Sequence, residues 1–181
     1  MLLVGLVLAA YGSALTADFV NWDDDTHVYE NPRVTAPDGL LRMWSDASSP
    51  GPYPILYAGY YLEWRLAGGA PWPFHLDNVL LHAGNAVLLG VLARQLALPA
   101  VAAWLAAALW ALHPMHVESV AWVTERKNVL YVFLWLGSLL LYLRARDAWR
   151  LAYPLSILLF ALALLSKGAA ISLPAALVLV E

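Results

Sequence analysis

The sequence predicts an all-α fold: a multi-span membrane helical bundle with a large first outer loop that contains short interfacial helices. Three observations predict it. Hydrophobic residues make up 62% of the 181 and charged residues 13%, where an ordinary soluble domain carries about 25% charged residues. The apolar runs are spread along the whole length, and one small core could not hide them all. Polar residues gather instead in a few connecting segments, the longest of them residues 18–74.

The apolar run 1–17 comes first. No Lys or Arg precedes it, so it makes a poor signal peptide and reads as a first span. That missing flank, and an end at Glu181 directly after the apolar run 171–180, set the expectation of a fragment of a longer chain. Residues 18–74 carry Pro32, Pro37, Pro50, Pro52, Pro54, Pro71 and Pro73, which break any single continuous helix. Within this outer loop, residues 39–44 and 55–66 are short, aromatic-rich and only partly apolar, as helices in the headgroup layer are. About five further spans follow in residues 75–181, near 76–96, 98–112, 128–143, 152–166 and 169–180, within one membrane domain.

Cations set the orientation. Arg94 falls in one connection and Arg144, Arg146 and Arg150 in another, and alternating spans place both on one face, the cytoplasmic one by the positive-inside rule. The acidic outer loop, the segment 113–127 and the isolated Lys167 then share the opposite face. A formal net charge of −3 with no run of cations excludes a nucleic-acid surface. Cysteine is absent, which excludes disulfide and thiolate chemistry.

Three constellations carry candidate chemistry. Asp23, Asp24 and Asp25 are adjacent carboxylates at the mouth of the first span. There one can accept a proton and another can hold a cation or orient a substrate; the competing reading is a solvated turn with an Asp cap. The stretch from His113 to Asn128 is the densest polar segment in the hydrophobic half, with His116, Glu118, Glu125, Arg126 and Lys127 inside it. His113 and His116 match no known zinc spacing, and hydrogen bonding is the better reading. Arg126 and Lys127 at a membrane rim can bind a lipid phosphate or simply snorkel. His75, Asn78, His82 and Asn85 recur at i, i+3, i+7 and i+10 and draw a polar stripe down the second span. Interhelical hydrogen bonds are the first reading of its deeper members His82 and Asn85. His75 and Asp77 sit at the outer rim and can line a site. Lys167, between two apolar runs, needs a partner or an interface, and an anionic headgroup is one candidate.

The run Phe19-Val20-Asn21-Trp22-Asp23-Asp24-Asp25 with Glu30-Asn31-Pro32 comes first, followed by Phe74-His75-Leu76-Asp77-Asn78 through His82 to Asn85. Then come His113-Pro114-Met115-His116-Val117-Glu118-Ser119-Val120-Ala121-Trp122, Glu125-Arg126-Lys127 and Leu165-Ser166-Lys167. In this order and spacing, over nearly the whole chain, they resemble the membrane part of the transmembrane and tetratricopeptide-repeat O-mannosyltransferases. The resemblance implies a GT-C type membrane glycosyltransferase, here a partial core of a bacterial-type member. It implies that a sugar moves from a polyprenyl-phosphate carrier to a Ser or Thr hydroxyl of a protein acceptor, on the periplasmic or extracellular face of a bacterial inner membrane. The family's acidic pair falls on Asp23 and Asp24, which become the catalytic candidates. Arg126, Lys127 and Lys167 become phosphate contacts, and Asp25, His75, His113, His116, Glu118 and Glu125 shape the substrate pocket. A divalent metal is a further candidate without an assigned ligand set. The chain departs from the family in two ways: animal members carry Arg where Tyr53 precedes Pro54, and no repeat of about 34 residues appears in these 181 residues. A transporter lined by the polar stripe and a non-catalytic anchor for a repeat domain are the competing readings.

Overall fold

The computed structural model describes residues 2–46, 51, 53–146 and 151–180, and among these every regular element is a helix. Pro50, Pro52, Arg150 and Glu181 lie outside the described residues.

The axis of the bundle is α5, Trp72–Gln95, which follows α1 (Leu2–Tyr11), α2 (Pro32–Thr35), α3 (Gly39–Ser45) and α4 (Pro54–Ala67). Its 24 residues rise about 36 Å, enough to cross a hydrocarbon core of roughly 30 Å. Proline falls in its first turn, where a missing N–H leaves no bond unmade. The helix α1 packs antiparallel along α5 through Leu3, Val7 and Tyr11 against Val79, Ala83 and Ala86. On the next side lies α6 (Ala100–Ala111), also antiparallel, with Ala103, Ala107 and Ala111 buried. Its Trp104 ring lies so close over Gly90 that a Cβ there would collide with it.

After α6 the chain bends by 52° through a 3-10 turn, Pro114–His116, into α7 (Val117–Ala121), and a second 3-10 turn, Val123–Glu125, opens α8 (Arg126–Arg146). The helix α8 runs parallel to α5: Arg126 meets Phe74, Asn85 meets Val129, and Leu92 joins Leu139 and Leu140. A Cβ on Gly84 would sit 2.7 Å from the Phe133 ring, so this glycine sets the close approach of the two helices. The helix α9 (Ala152–Leu164) returns antiparallel to α8, pinned by Ser138 and Ser156. Each of these hydroxyls donates to the other residue's carbonyl, at 2.8 and 2.9 Å. A 3-10 turn, Gly168–Ser172, leads into α10 (Leu173–Val180).

Six spans were expected. By length and composition, Trp72–Gln95 and Val123–Arg146 qualify, with a third if the bent pair Ala100–Ala111 and Pro114–Ala121 forms one span. The remaining candidates, Leu2–Thr16, Ala152–Leu164 and Gly168–Val180, are apolar but shorter. Their regular α-helical parts, 10, 13 and 8 residues, rise only about 12–20 Å.

The expected helices of the outer loop form as α3 and α4. They do more than lie on a surface. Val28, Val34, Met43, Leu56, Tyr57 and Tyr60 make a second core with Phe74 and Val123, so the loop is fastened over the start of α5. Leu41, Trp44, Leu62 and Leu66 stay exposed, as the apolar sides of interfacial helices do.

Candidate functional site

The alternation of directions along α5 decides where the polar segments fall. Because α1, α6 and α9 oppose α5 and α8, the chain reaches the end where α5 and α8 begin three times. Asp23 to Asp25, His75, the stretch 113–128 and Lys167 all lie at that end, while Arg94, Arg144 and Arg146 end their helices at the other.

One hydrogen-bonded junction ties the first and third of these segments across 100 positions. Asp24 is fully buried; its Oδ1 accepts from Thr124 N at 3.1 Å and from the Thr124 hydroxyl, while its Oδ2 accepts from Val20 N at 2.9 Å. A carboxylate with donors on both oxygens is held in place and does not face solvent. Asp23 differs. It is half-buried, and among the described residues its carboxylate has no hydrogen-bond partner, whereas Asp25 accepts from Thr26 N and its hydroxyl. The three adjacent acids therefore separate into a tie, an available carboxylate and a turn cap.

Directly after Thr124 stands a charged cluster. Glu125 Oε1 pairs with Lys127 Nζ at 2.8 Å. Glu125 Oε2 accepts from Asn128 Nδ2, and Asn128 Oδ1 accepts from Lys167 Nζ. Two cations from separate segments thus meet around one amide and one carboxylate, and Lys127 keeps 19% of its side chain exposed. Burial lowers the Lys167 ammonium, Glu125 opposing this and Lys127 reinforcing it. His27 reports how near the two groups are. Burial and then Lys127 lower its imidazole, while Asp23, Asp24 and Glu125 raise it, so the outer-loop acids and the Glu125–Lys127 pair share its electrostatic neighbourhood.

Arg126 is placed otherwise than the phosphate reading expects. It is 1% exposed and surrounded by internal partners: Asn78 Oδ1 at 2.8 Å, Glu63 Oε2 at 2.5 Å and Phe74 O at 2.7 Å, with Asp77 at 3.4 Å. Its guanidinium also lies 4.5 Å over the Tyr60 ring. It clamps α4, α5 and α8 together and presents no free face to a phosphate. Burial raises the Glu63 carboxyl to about 7 against the pull of Arg126.

The other expected residues are spread around this end. His113 is exposed, and its Nδ1 accepts from Met115 N at 3.2 Å, capping the turn. His116 packs on Trp110 at 4.4 Å and on His82 at 5.3 Å. Glu118 is exposed at the rim of a cleft of about 280 Å³ that Trp22, His75 and Trp122 also line. In the polar stripe, Asn78, His82 and Asn85 bond the carbonyls of Trp122, Ala111 and Val129, the interhelical bonding first read for the deeper pair. Among the described residues no group of three or more His, Cys, Asp or Glu could hold a metal ion.

Glu63, Thr124, His27 and the hub role of Asn128 escaped the sequence reading. A lone Glu in an aromatic-rich helix was the available signal for Glu63. For Thr124 the only signal was its place before Glu125.

No family model matches the chain, and no solved structure does. Curated relatives do. The chain is 33% identical over 186 residues to the fruit fly (Drosophila melanogaster) protein O-mannosyl-transferase Tmtc2, covering 92% of this chain and 20% of that protein. It is 32% identical over 169 residues to human (Homo sapiens) protein O-mannosyl-transferase TMTC4, covering 80% and 23%. To the mouse (Mus musculus) protein O-mannosyl-transferase TMTC1 it is 33% identical over 159 residues, covering 81% and 17%. The chain spans about a fifth of the length of the curated relatives it matches.

Proposed function

We propose, since the chain belongs to the TMTC family of protein O-mannosyl-transferases, that it builds part of a membrane glycosyltransferase site. That site moves a mannose-like sugar from a polyprenyl-phosphate carrier to a Ser or Thr hydroxyl of a protein on the non-cytoplasmic face. The observation that carries this reading is the buried Asp24–Thr124 junction, which holds the outer-loop acids beside Glu125, Lys127 and Lys167.

In the proposed step, the half-exposed Asp23 carboxylate takes the proton of the acceptor hydroxyl as its oxygen bonds the anomeric carbon. The bond from that carbon to the phosphate oxygen breaks, and the carrier phosphate leaves with the electron pair. Lys127 and Lys167 stabilise the charge that gathers on it. Asp24 and Arg126 position these groups from within the fold. His75, His113, His116, Glu118 and Asp25 stand around the same end, where an acceptor segment has to approach.

The test is transfer of radiolabelled mannose from a polyprenyl-phosphate donor to a Ser/Thr-containing acceptor protein in membranes that carry the protein. Asp23→Asn is expected to lower transfer by 10²-fold or more, the range of a positioned acid or base. Transfer at the parent rate would remove Asp23 from the mechanism.

A further inference from the structure

The polar stripe of α5 leaves something over once its interhelical bonds are made. His82 Nε2 meets the Ala111 carbonyl at 2.8 Å, so it carries the proton in the neutral ring and Nδ1 is left as a bare acceptor. Asn85 Nδ2 donates to the Val129 carbonyl at 2.8 Å, which leaves its Oδ1 as a second acceptor. Both residues are at most 1% exposed, and among the described residues neither remaining atom has a hydrogen-bond partner. Two buried acceptors without donors are costly in an apolar setting.

Both residues line a cavity of about 210 Å³ together with Trp110, His116, Asn128 and Tyr131. That is room for about seven waters at roughly 30 Å³ each, the scale of one hydroxylated ring. Its wall combines acceptors with the aromatic faces of Trp110 and Tyr131, on which the C–H face of such a ring can lie. A cationic ligand fits poorly, because Lys167 is bonded to Asn128 and stands 5.8 Å over the Tyr131 ring. A second cavity, of about 280 Å³, adjoins it. Trp110, Tyr131 and Val132 line both, and the other walls of the second include Leu89, Trp135 and Leu136. A polar cavity and a mainly apolar one thus lie side by side along α8.

We propose that this two-part cavity binds an amphipathic ligand: a neutral, hydroxyl-rich head that donates to His82 Nδ1 and Asn85 Oδ1, on a hydrocarbon tail along Leu89, Trp135 and Leu136. Resting on the glycosyltransferase reading, the head is the sugar of the lipid carrier, and Lys167 lies where the linking phosphate passes Tyr131. A polyol headgroup of a membrane lipid offers the same hydroxyls, and the experiment separates the two sources.

The protein in nanodiscs of phosphatidylcholine is titrated with a short-chain polyprenyl-phosphate mannose and with the same polyprenyl phosphate lacking sugar, with binding read by native mass spectrometry. Phosphatidylglycerol is added as competitor. The sugar-bearing carrier is expected to bind at least tenfold more tightly than the sugar-free one. Val132→Trp, which fills the wall shared by the two cavities without touching a hydrogen bond, is expected to abolish that increment, whatever it does to sugar-free binding. Asn85→Leu should do the same if it folds, and Val132→Trp decides the matter if it does not. Displacement by phosphatidylglycerol in the parent but not in Val132→Trp, with no sugar increment, assigns the head to a membrane lipid. The proposal is overturned if neither sugar nor glycerol head adds affinity, or if the increment survives both substitutions. Asp23→Asn tells the readings apart: it should abolish transfer and keep the sugar increment. Loss of the increment with transfer intact sinks the cavity alone.

Discussion

Arg126 and Lys127 are neighbours at the start of α8, and the fold treats them in opposite ways. Arg126 turns inward to Asn78, Glu63 and the Phe74 carbonyl, and the loop helix α4 closes over it. Lys127 turns toward Glu125 and keeps contact with solvent. The first network is saturated, so it holds the bundle together; the second has charge to offer a ligand. Sequence alone gives both residues the same claim to a phosphate, and geometry separates them by counting partners. The sharpest way to break the comparison is to remove the saturated member. Arg126→Met leaves Glu63 buried without its cation and is expected to cost about 3–5 kcal/mol, seen as loss of folded protein in detergent melts. Arg126→Lys should rescue little, because an ammonium cannot reproduce the planar fork that reaches three separate acceptors.

The same network makes stability depend on pH. Burial lifts the Glu63 carboxyl from 4.5 to about 7 in the folded state. The folded protein then holds a proton that the unfolded chain releases, and the stability this contributes is complete below about pH 4.5 and is lost as pH rises through about 7. The full difference is on the order of 3 kcal/mol. Thermal midpoints measured between pH 5 and pH 8 should fall, and Glu63→Gln should flatten the trend. A flat profile in the parent would mean that Arg126 holds Glu63 ionised throughout.

A smaller effect tests the junction that joins the two regions. Thr124→Val removes the hydroxyl that Asp24 accepts and keeps the shape, with an expected cost of about 1–2 kcal/mol, measured by chemical unfolding. Asp23→Asn should leave the same midpoint unchanged. The contrast bears on what a sequence can reveal. Alternating apolar runs predicted that the segments near Asp23, His75, Glu125 and Lys167 share one end, and helix direction alone is enough for that inference. Which of Asp23, Asp24 and Asp25 becomes the tie depends on a partner 100 residues away, and no local pattern encodes it. Glu63 was missed for the related reason that an interfacial helix with one acid looks self-sufficient until the outer loop is seen to fold onto α5. Helix length is read least well from hydropathy, because the bend after Ala111 and the 3-10 turns interrupt helices without making the sequence less apolar.

The least disruptive change is the most informative about function. Lys127→Met removes a part-buried charge paired with the Glu125 carboxylate, which keeps its bond from Asn128, and its cost to stability should be about 1 kcal/mol. Its effect should fall on the donor, because an unpaired Glu125 now repels the carrier phosphate that the ammonium attracted. Binding of polyprenyl phosphate, titrated at low and at high salt, is expected to weaken several-fold at low salt and to converge with the parent as ions screen the charges. Equal loss at both ionic strengths would mean that Lys127 acts by packing. The division between a saturated Arg126 and an available Lys127 would then be one of degree.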